Sequence, residues 1–159
     1  SVIDTAGAAL SKEAEEGGMA GEIARSLADL VTLDVPTLCV LLGQGTGGGA
    51  LALMPADRVI AAMHSWLSPL PPEGASAILF RSVDRAPELA EQQRVRSADL
   101  LADGIIDRIV AEHPDAAEEP EQFCRRMATA IRHALGELSR VPPASRLARR
   151  HERWRRLGL

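Results

Sequence analysis

The chain contains no run of eighteen uncharged apolar residues, so no segment has the length of a membrane-spanning helix. Its first residues, SVIDTAGAAL, have neither a basic stretch nor an apolar leader core, and a cytoplasmic location is expected. Cysteine is scarce. Cys39 and Cys124 sit in apolar segments without CxxC spacing or neighbouring histidines, which argues against a disulfide framework and a zinc site and reads as two buried thiols. No Gly-Lys-Ser/Thr follows the glycine-rich turn, so a P-loop is excluded. No GxSxG elbow is present for a serine hydrolase, and that turn offers only Thr46. There is no internal repeat and no low-complexity tract. An initiator Met is also missing and the chain opens inside what reads as a strand, which suggests a piece of something longer with an incomplete core.

What is present describes an ordinary soluble domain: 159 residues, 46% hydrophobic and 25% charged, enough for one buried core. The net charge of −4 conceals an asymmetry. Residues 140–159 hold seven arginines against Glu152 alone, which leaves −10 on the rest of the chain. An acidic body argues against nucleic-acid binding, and the basic tail is a candidate contact for an acidic partner. The expected division is therefore 1–139 as the body and 140–159 as a basic helix or tail.

Along the chain, VID reads as a strand and TAGAALSKEAEEGGMAG as a loop. From Glu22 the positions Ile23, Leu27, Leu30 and Val31 share one helical face, and Pro36 stops that helix. TLCVLLG is an unbroken apolar run, the pattern of a strand buried on both faces of a parallel sheet. GQGTGGGALALM then turns from glycines into a short helix before Pro55, and RVIAAMH makes the next strand, giving a βαβ order. PPEGASAILF has Pro72 placed for a helix first turn and Glu73 where an acid suits the helix dipole. SADLLADG predicts a helix closed by Gly104, IIDRIV a strand, and residues from Pro120 a long helix carrying Phe123, Met127, Ile131, Leu135 and Leu138. The class is α/β with buried parallel strands.

The glycine turn is the most informative stretch. Gly43-Gln44-Gly45-Thr46-Gly47-Gly48 satisfies GxGxxG, yet the helix after it is too short and the next strand ends in His64-Ser65-Trp66 where a dinucleotide fold wants an acid. Glycines at a helix start let a substrate approach the backbone and leave amides free to donate. If the anion exists only in the transition state, those amides form an oxyanion hole. The competing reading is that the glycines serve tight packing of helix on strand. Five glycines in seven positions at a strand end favour the functional one. His64, His113, His133 and His151 share no spacing, Glu13, Glu15 and Glu16 form a charge run in a loop, and no metal site emerges.

Taken in order, IDTAGA, AEEGG, GEIARSLADL, DVPTLCVLLGQGTGGGALALMPADRVI and PPEGASAILFRSVDRAPE resemble the C-terminal half of the carboxyltransferase α subunit of acetyl-CoA carboxylase, and RLARRHERWRRLG resembles that subunit's ending. The resemblance implies a crotonase or Clp-protease-like spiral of ββα turns, here an incomplete C-terminal portion. It implies transfer of CO₂ from carboxybiotin, on a biotin carboxyl carrier protein, to the enolate of an acyl-CoA thioester, giving malonyl-CoA from acetyl-CoA for fatty-acid synthesis. The ureido oxygen of biotin would be held by the turn at Gly48, Gly49 and Ala50, with Gly47, Gly74 and Ala75 lining the same cleft. By the same resemblance, biotin's own ureido nitrogen would accept the proton, which implies that no protein base is needed.

The resemblance also implies a carboxyltransferase β half, separate or fused, an oligomer, and an isolated fragment without activity. Departures fall on Asp4-Thr5-Ala6-Gly7-Ala8, where the family has DTPGA, on Ala14-Glu15-Glu16-Gly17-Gly18-Met19, where it has AEERGQ, and on PLPPEG in place of SPEG. Losing that Arg removes a candidate contact for phosphate or carboxylate. Leu147, Trp154 and Leu157 would lie on one face of a tail helix that docks on the partner. Two other readings stand beside this one: a catalytically silent crotonase-like assembly module, and an enoyl-CoA hydratase or isomerase, which needs a carboxylate such as Glu15 or Glu16 facing the turn.

Overall fold

The computed structural model describes residues 1–9 and 11–156. Its centre is a five-stranded sheet in which every ladder is parallel. Strand β1 (Val2–Thr5) pairs with β2 (Leu38–Thr46), β2 with β3 (Arg58–Ala62), and β3 with β5 (Arg108–Val110). The short β4 (Trp66–Ser68) pairs with the second half of β2, where Thr46 stands opposite Ser68.

Strand β2 therefore carries the architecture. Its first half, Leu38 to Leu41, pairs with β3. Its second half continues as strand through Gly43-Gln44-Gly45-Thr46, where the glycines predicted a turn, because β4 supplies a partner for those backbone groups. The ladder to β1 slips between Ile3 and Thr5. At that slip the Asp4 carboxylate accepts from Gln44 N at 3.0 Å, and a Cβ on Gly43 would stand 2.5 Å from Asp4 Oδ1. Gly43 is glycine because a neighbouring strand's side chain occupies its Cβ space.

The alternation along β2 and β3 buries both faces. Cys39, Leu41, Val59 and Ala61 face one core with Ile3, Ala50 and Leu100, while Val40, Ile60 and Ala62 face the other. Helix α7 (Pro120–Leu138), started by its proline as expected, covers the second core with Phe123, Met127, Ala130, Ala134 and Leu138. Ala130 and Ala134 join the seam, with Ile131 half-buried against it as the apolar spacing implied, while Leu135 is exposed. Cys124 lies on the flank of α7 and is exposed, so among the two cysteines only Cys39 is buried. Burial pushes the Cys39 thiol up from its ordinary range. Titration with a chromogenic disulfide reagent should find one reactive thiol per chain in the folded protein and two in urea; two at once in the folded state would contradict this packing.

Helix α1 (Lys12–Glu16) lies in the segment read as loop, started by Ser11 Oγ accepting from Ala14 N at 3.2 Å. Helix α2 (Met19–Thr32) starts three residues earlier than Glu22. Helices α3 (Gly47–Leu51), α4 (Pro72–Phe80) and α6 (Ser97–Ala102) occupy their expected segments, with Gly104 at φ 72° just after α6. Helix α5 (Ala86–Gln92) has no counterpart in the sequence reading.

The basic tail forms α8 (Pro143–Arg155), which packs on α2 and sends Trp154 against the first core. Its Arg146 and Arg150 turn inward and are buried. Leu157, expected on this helix face, lies outside the described residues. Among the described residues no helix is long and apolar enough to cross a membrane.

Candidate functional site

The glycine turn joins the carboxyl end of β2 to α3, and the carboxyl edge of a parallel sheet is where open α/β folds place ligands. Gly47 has φ 64°, a left-handed conformation that side chains resist. Thr46 is the N-cap, buried, and makes no side-chain bond to the helix start. An α-helix leaves the N–H groups of its first three residues without an intrahelical acceptor, here those of Gly47, Gly48 and Gly49. Ala50, fully buried, holds the next position, where the N–H meets the N-cap carbonyl of Thr46. The turn is also tightly packed. A Cβ on Gly48 would stand 3.1 Å from Ile23 Cδ1 of α2, and one on Gly49 would stand 3.1 Å from Ala8 N in the loop after β1.

A second strand-to-helix connection lies beside the first. Strand β4 leads through Pro69-Leu70-Pro71 into α4, and a Cβ on Gly47 would be 3.8 Å from Pro69 O. Pro71 is the N-cap and Pro72 the first helical residue. Ala75 N donates to Pro71 O at 2.9 Å, so its N–H is used within the chain, while Gly74 sits one position earlier, where the helix provides no acceptor. Gly47, Gly48, Gly49 and Gly74 are all half-buried, and together they line two adjacent amide-rich edges on one end of the sheet.

A cavity of about 900 Å³ opens at the same end of the sheet. The start of α4, through Pro72 and Glu73, forms part of its wall, while the glycine turn does not. Its rim holds His64, whose Nδ1 is 3.3 Å from Glu112 Oε2. Glu112 is buried, and its two oxygens accept from His64 N at 3.0 Å and Ala116 N at 2.9 Å. Asp115 completes a cluster with ligand atoms within 4.8 Å of one another, but the backbone already occupies both Glu112 oxygens and Asp115 is exposed, so the group carries no metal assignment here. Reading the residues one by one could not join His64 to Glu112, 48 positions away. The parallel register of Ala62 opposite Val110 does, because it places 64 opposite 112.

The remaining candidates are dispersed. Glu13, Glu15 and Glu16 lie exposed on α1, where Glu16 pairs with Lys12 at 3.5 Å. Glu13 is held below the usual carboxylate range, chiefly by a backbone hydrogen bond and then by the Ser11 hydroxyl. His133 pairs with Glu137 one helical turn on, and His151 belongs to α8.

The family described as acetyl co-enzyme A carboxylase carboxyltransferase-like matches residues 1–158. The probable biotin-dependent acyl-coenzyme A carboxylase beta3 subunit of Mycobacterium tuberculosis is 60% identical over 158 residues, covering 99% of this chain and 32% of that protein. The acetyl-coenzyme A carboxylase carboxyl transferase subunit alpha of Deinococcus radiodurans is 41% identical over 159 residues, covering 99% of this chain and 50% of that protein. The chain thus spans a third to a half of the length of these relatives. Among solved structures, the transcarboxylase 12S hexamer core with hydrolysed methylmalonyl-coenzyme A superposes at TM-score 0.70 with 22% identity, over 87% of this chain and 25% of that one. The fold is the crotonase-like α/β arrangement.

Proposed function

The chain belongs to the acetyl co-enzyme A carboxylase carboxyltransferase-like family, and from that premise we propose that it is the biotin-side half of an enzyme that carboxylates acetyl-CoA to malonyl-CoA for fatty-acid synthesis. The observation that carries this reading is the pair of adjacent strand-to-helix turns, with Gly48, Gly49 and Gly74 at helix positions that provide no acceptor of their own. Carboxybiotin, delivered on a biotin carboxyl carrier protein, supplies the carboxyl group for the α-carbon of the thioester.

This chain's part is electrostatic. Gly48 and Gly49 donate to an oxygen that gathers negative charge as the carboxyl group leaves, and preorganised donors of this kind lower a barrier by about 3 kcal/mol each. Ala50, buried beneath them, seats the turn on the first core. Gly47 supplies the left-handed step that aims the amides, and Gly74 with Ala75 forms the neighbouring wall. No side chain at the turn has to accept a proton in this scheme.

The partner is a carboxyltransferase β half, on its own chain or fused, in a cytoplasmic oligomer. Relatives named as carboxylase subunits support an assembly of this kind. The exposed Ile78, Leu79 and Val83 at and beyond the end of α4 are an apolar patch suited to burial in it. The test is biotin-dependent decarboxylation of malonyl-CoA, the reverse reaction, by this chain mixed with a β half. Turnover that requires both halves and biotin is the expected result. Absence of turnover with malonyl-CoA alongside turnover with methylmalonyl-CoA would move the substrate, and absence with both would remove the reading.

A further inference from the structure

At the opposite end of the sheet, by the amino ends of β3 and β5, a cavity of about 250 Å³ lies beneath α8. Five arginines line it, Arg58, Arg146, Arg149, Arg150 and Arg153, against Asp57 and Asp107. The lining is cationic in a chain whose net charge is −4.

The arginines are not equally satisfied. Arg150 makes short bonds to both Asp57 oxygens and to three carbonyls, at 2.7 to 2.9 Å. Arg153 bonds Asp107 Oδ2 and Ile105 O, each at 2.6 Å, but its Nε has no acceptor. Arg146 is the outlier. Its side chain is 6% exposed, yet its nearest acceptors are Val141 O and Asp34 Oδ1 at 3.4 Å and Asp57 Oδ2 at 3.6 Å, and its Nε also lacks an acceptor. Asp57 cannot close that gap, since it already receives two bonds from Arg150 and one each from Thr37 N and Oγ1. Arg149, exposed at the mouth, makes no ion pair among the described residues.

A buried guanidinium held only by long contacts is costly unless another anion completes its shell. Arg146 and Arg153 lie seven residues apart on one face of α8, both line this cavity, and each has a buried Nε without a hydrogen-bond partner. We propose that this cavity is a binding site for a phosphate group. Planar guanidinium forks suit an oxyanion of that shape, and the volume falls below the roughly 300–1,000 Å³ typical of sites for drug-sized ligands, so the buried part of the ligand is small. A neighbouring pocket of about 730 Å³ shares Gly104, Arg149 and Arg153 and offers room for the organic part of a phosphate monoester. The acids of that pocket do not oppose an anion: Asp103 is paired to Arg94 at 2.8 and 3.0 Å, and Glu152 to Arg156 at 2.8 Å. The site lies at the other end of the strands from the glycine turn and does not depend on the proposed reaction.

The experiment titrates the intact protein with inorganic phosphate at constant ionic strength, chloride being the replaced anion, and follows phosphorus-31 line broadening. Saturable broadening is expected. Arg149→Gln, at an exposed position with no partner to lose, should keep the urea midpoint and weaken binding about tenfold or more. Arg146→Gln should weaken it further if that variant folds. A parallel arm uses adenosine 5′-monophosphate: tighter binding than phosphate identifies a monoester ligand, and equal binding identifies phosphate alone. Broadening that never saturates, or that is unchanged in folded Arg149→Gln, overturns the site.

Discussion

Replacing Asp57 with Ala should cost about 3–5 kcal/mol of unfolding free energy, the loss typical of removing one partner from a buried ion pair. Asp57 receives Arg150 Nε at 2.9 Å and Nη2 at 2.8 Å, and the Arg150 side chain has no exposed surface. Arg150 does more than balance a charge. Its Nη1 donates to Leu30 O at 2.9 Å and Leu33 O at 2.7 Å, and its Nη2 to Val35 O at 2.9 Å. A cation from α8 thus satisfies carbonyls at the C-terminal end of α2, where a helix leaves acceptors unpaired and its dipole favours positive charge.

Without Asp57, two arginines remain buried beside one another and the Thr37 N–H loses its acceptor at 2.8 Å. Urea unfolding should register the lower stability, and trypsin should cut within α8 of the variant under conditions that leave the native helix intact. Asp57→Asn should fall between the two, because it keeps an acceptor for Thr37 and loses the charge. A loss below about 1 kcal/mol, the range of exposed pairs, would mean that α8 is not seated as described.

That clamp illustrates what could be read in the sequence and what could not. Helix starts at Pro72 and Pro120, the stop at Gly104 and the buried run Cys39 to Leu41 are written in adjacent residues, because proline geometry, glycine freedom and apolar composition act locally, although Leu42, read as part of the same buried run, is exposed. The seven arginines of residues 140–159 read as a basic surface tail offered to an acidic partner, since charge ordinarily stays outside the core. Two of them, Arg146 and Arg150, turn inward instead, and that turn depends on Asp57, 93 positions from Arg150, with nothing near either residue to announce the other. Strand β4 escaped notice for a related reason. Three residues carry too little pattern to be seen, and only the neighbouring edge of β2 makes them a strand.

The glycine turn shows both limits at once. Its position at a strand end and its resemblance to a carboxyltransferase were legible in the sequence, and the family comparison agrees with that resemblance. Where the turn begins was not legible, because Gly43 and Gly45 look like turn residues and are strand residues. A Cβ on Gly45 would stand 2.8 Å from Leu67 Cδ1 and 3.0 Å from Trp66 O, so its lack of a side chain serves the close approach of β4. Two of the five glycines thus belong to packing, which leaves Gly47, Gly48 and Gly49 to carry any chemistry.

Exchanging Gly48 or Gly49 for glycolate, which replaces the peptide N–H with an ester oxygen and adds no atom, should lower carboxyl transfer by about 10²–10³-fold in the enzyme assembled with its β half. The exchange is needed because ordinary substitution confuses two effects. Alanine at 49 brings a methyl to 3.1 Å from Ala8 N, which is backbone and cannot swing aside, so a loss of rate would report displaced structure as readily as a lost donor. The ester removes the donor without adding bulk; it also weakens the carbonyl before it as an acceptor, which at 49 is the Gly48 oxygen bonded by Ala52 N at 2.9 Å, and the Ala50 exchange carries the same kind of loss as a reference. At Ala50 the same exchange, with lactate, deletes the first bond of α3 to Thr46 and should appear as about 1 kcal/mol of stability, with a much smaller effect on rate. The contrast between positions 49 and 50 separates catalysis from architecture: full transfer by the 48 and 49 esters would leave the glycines as packing residues and the chain as an assembly module.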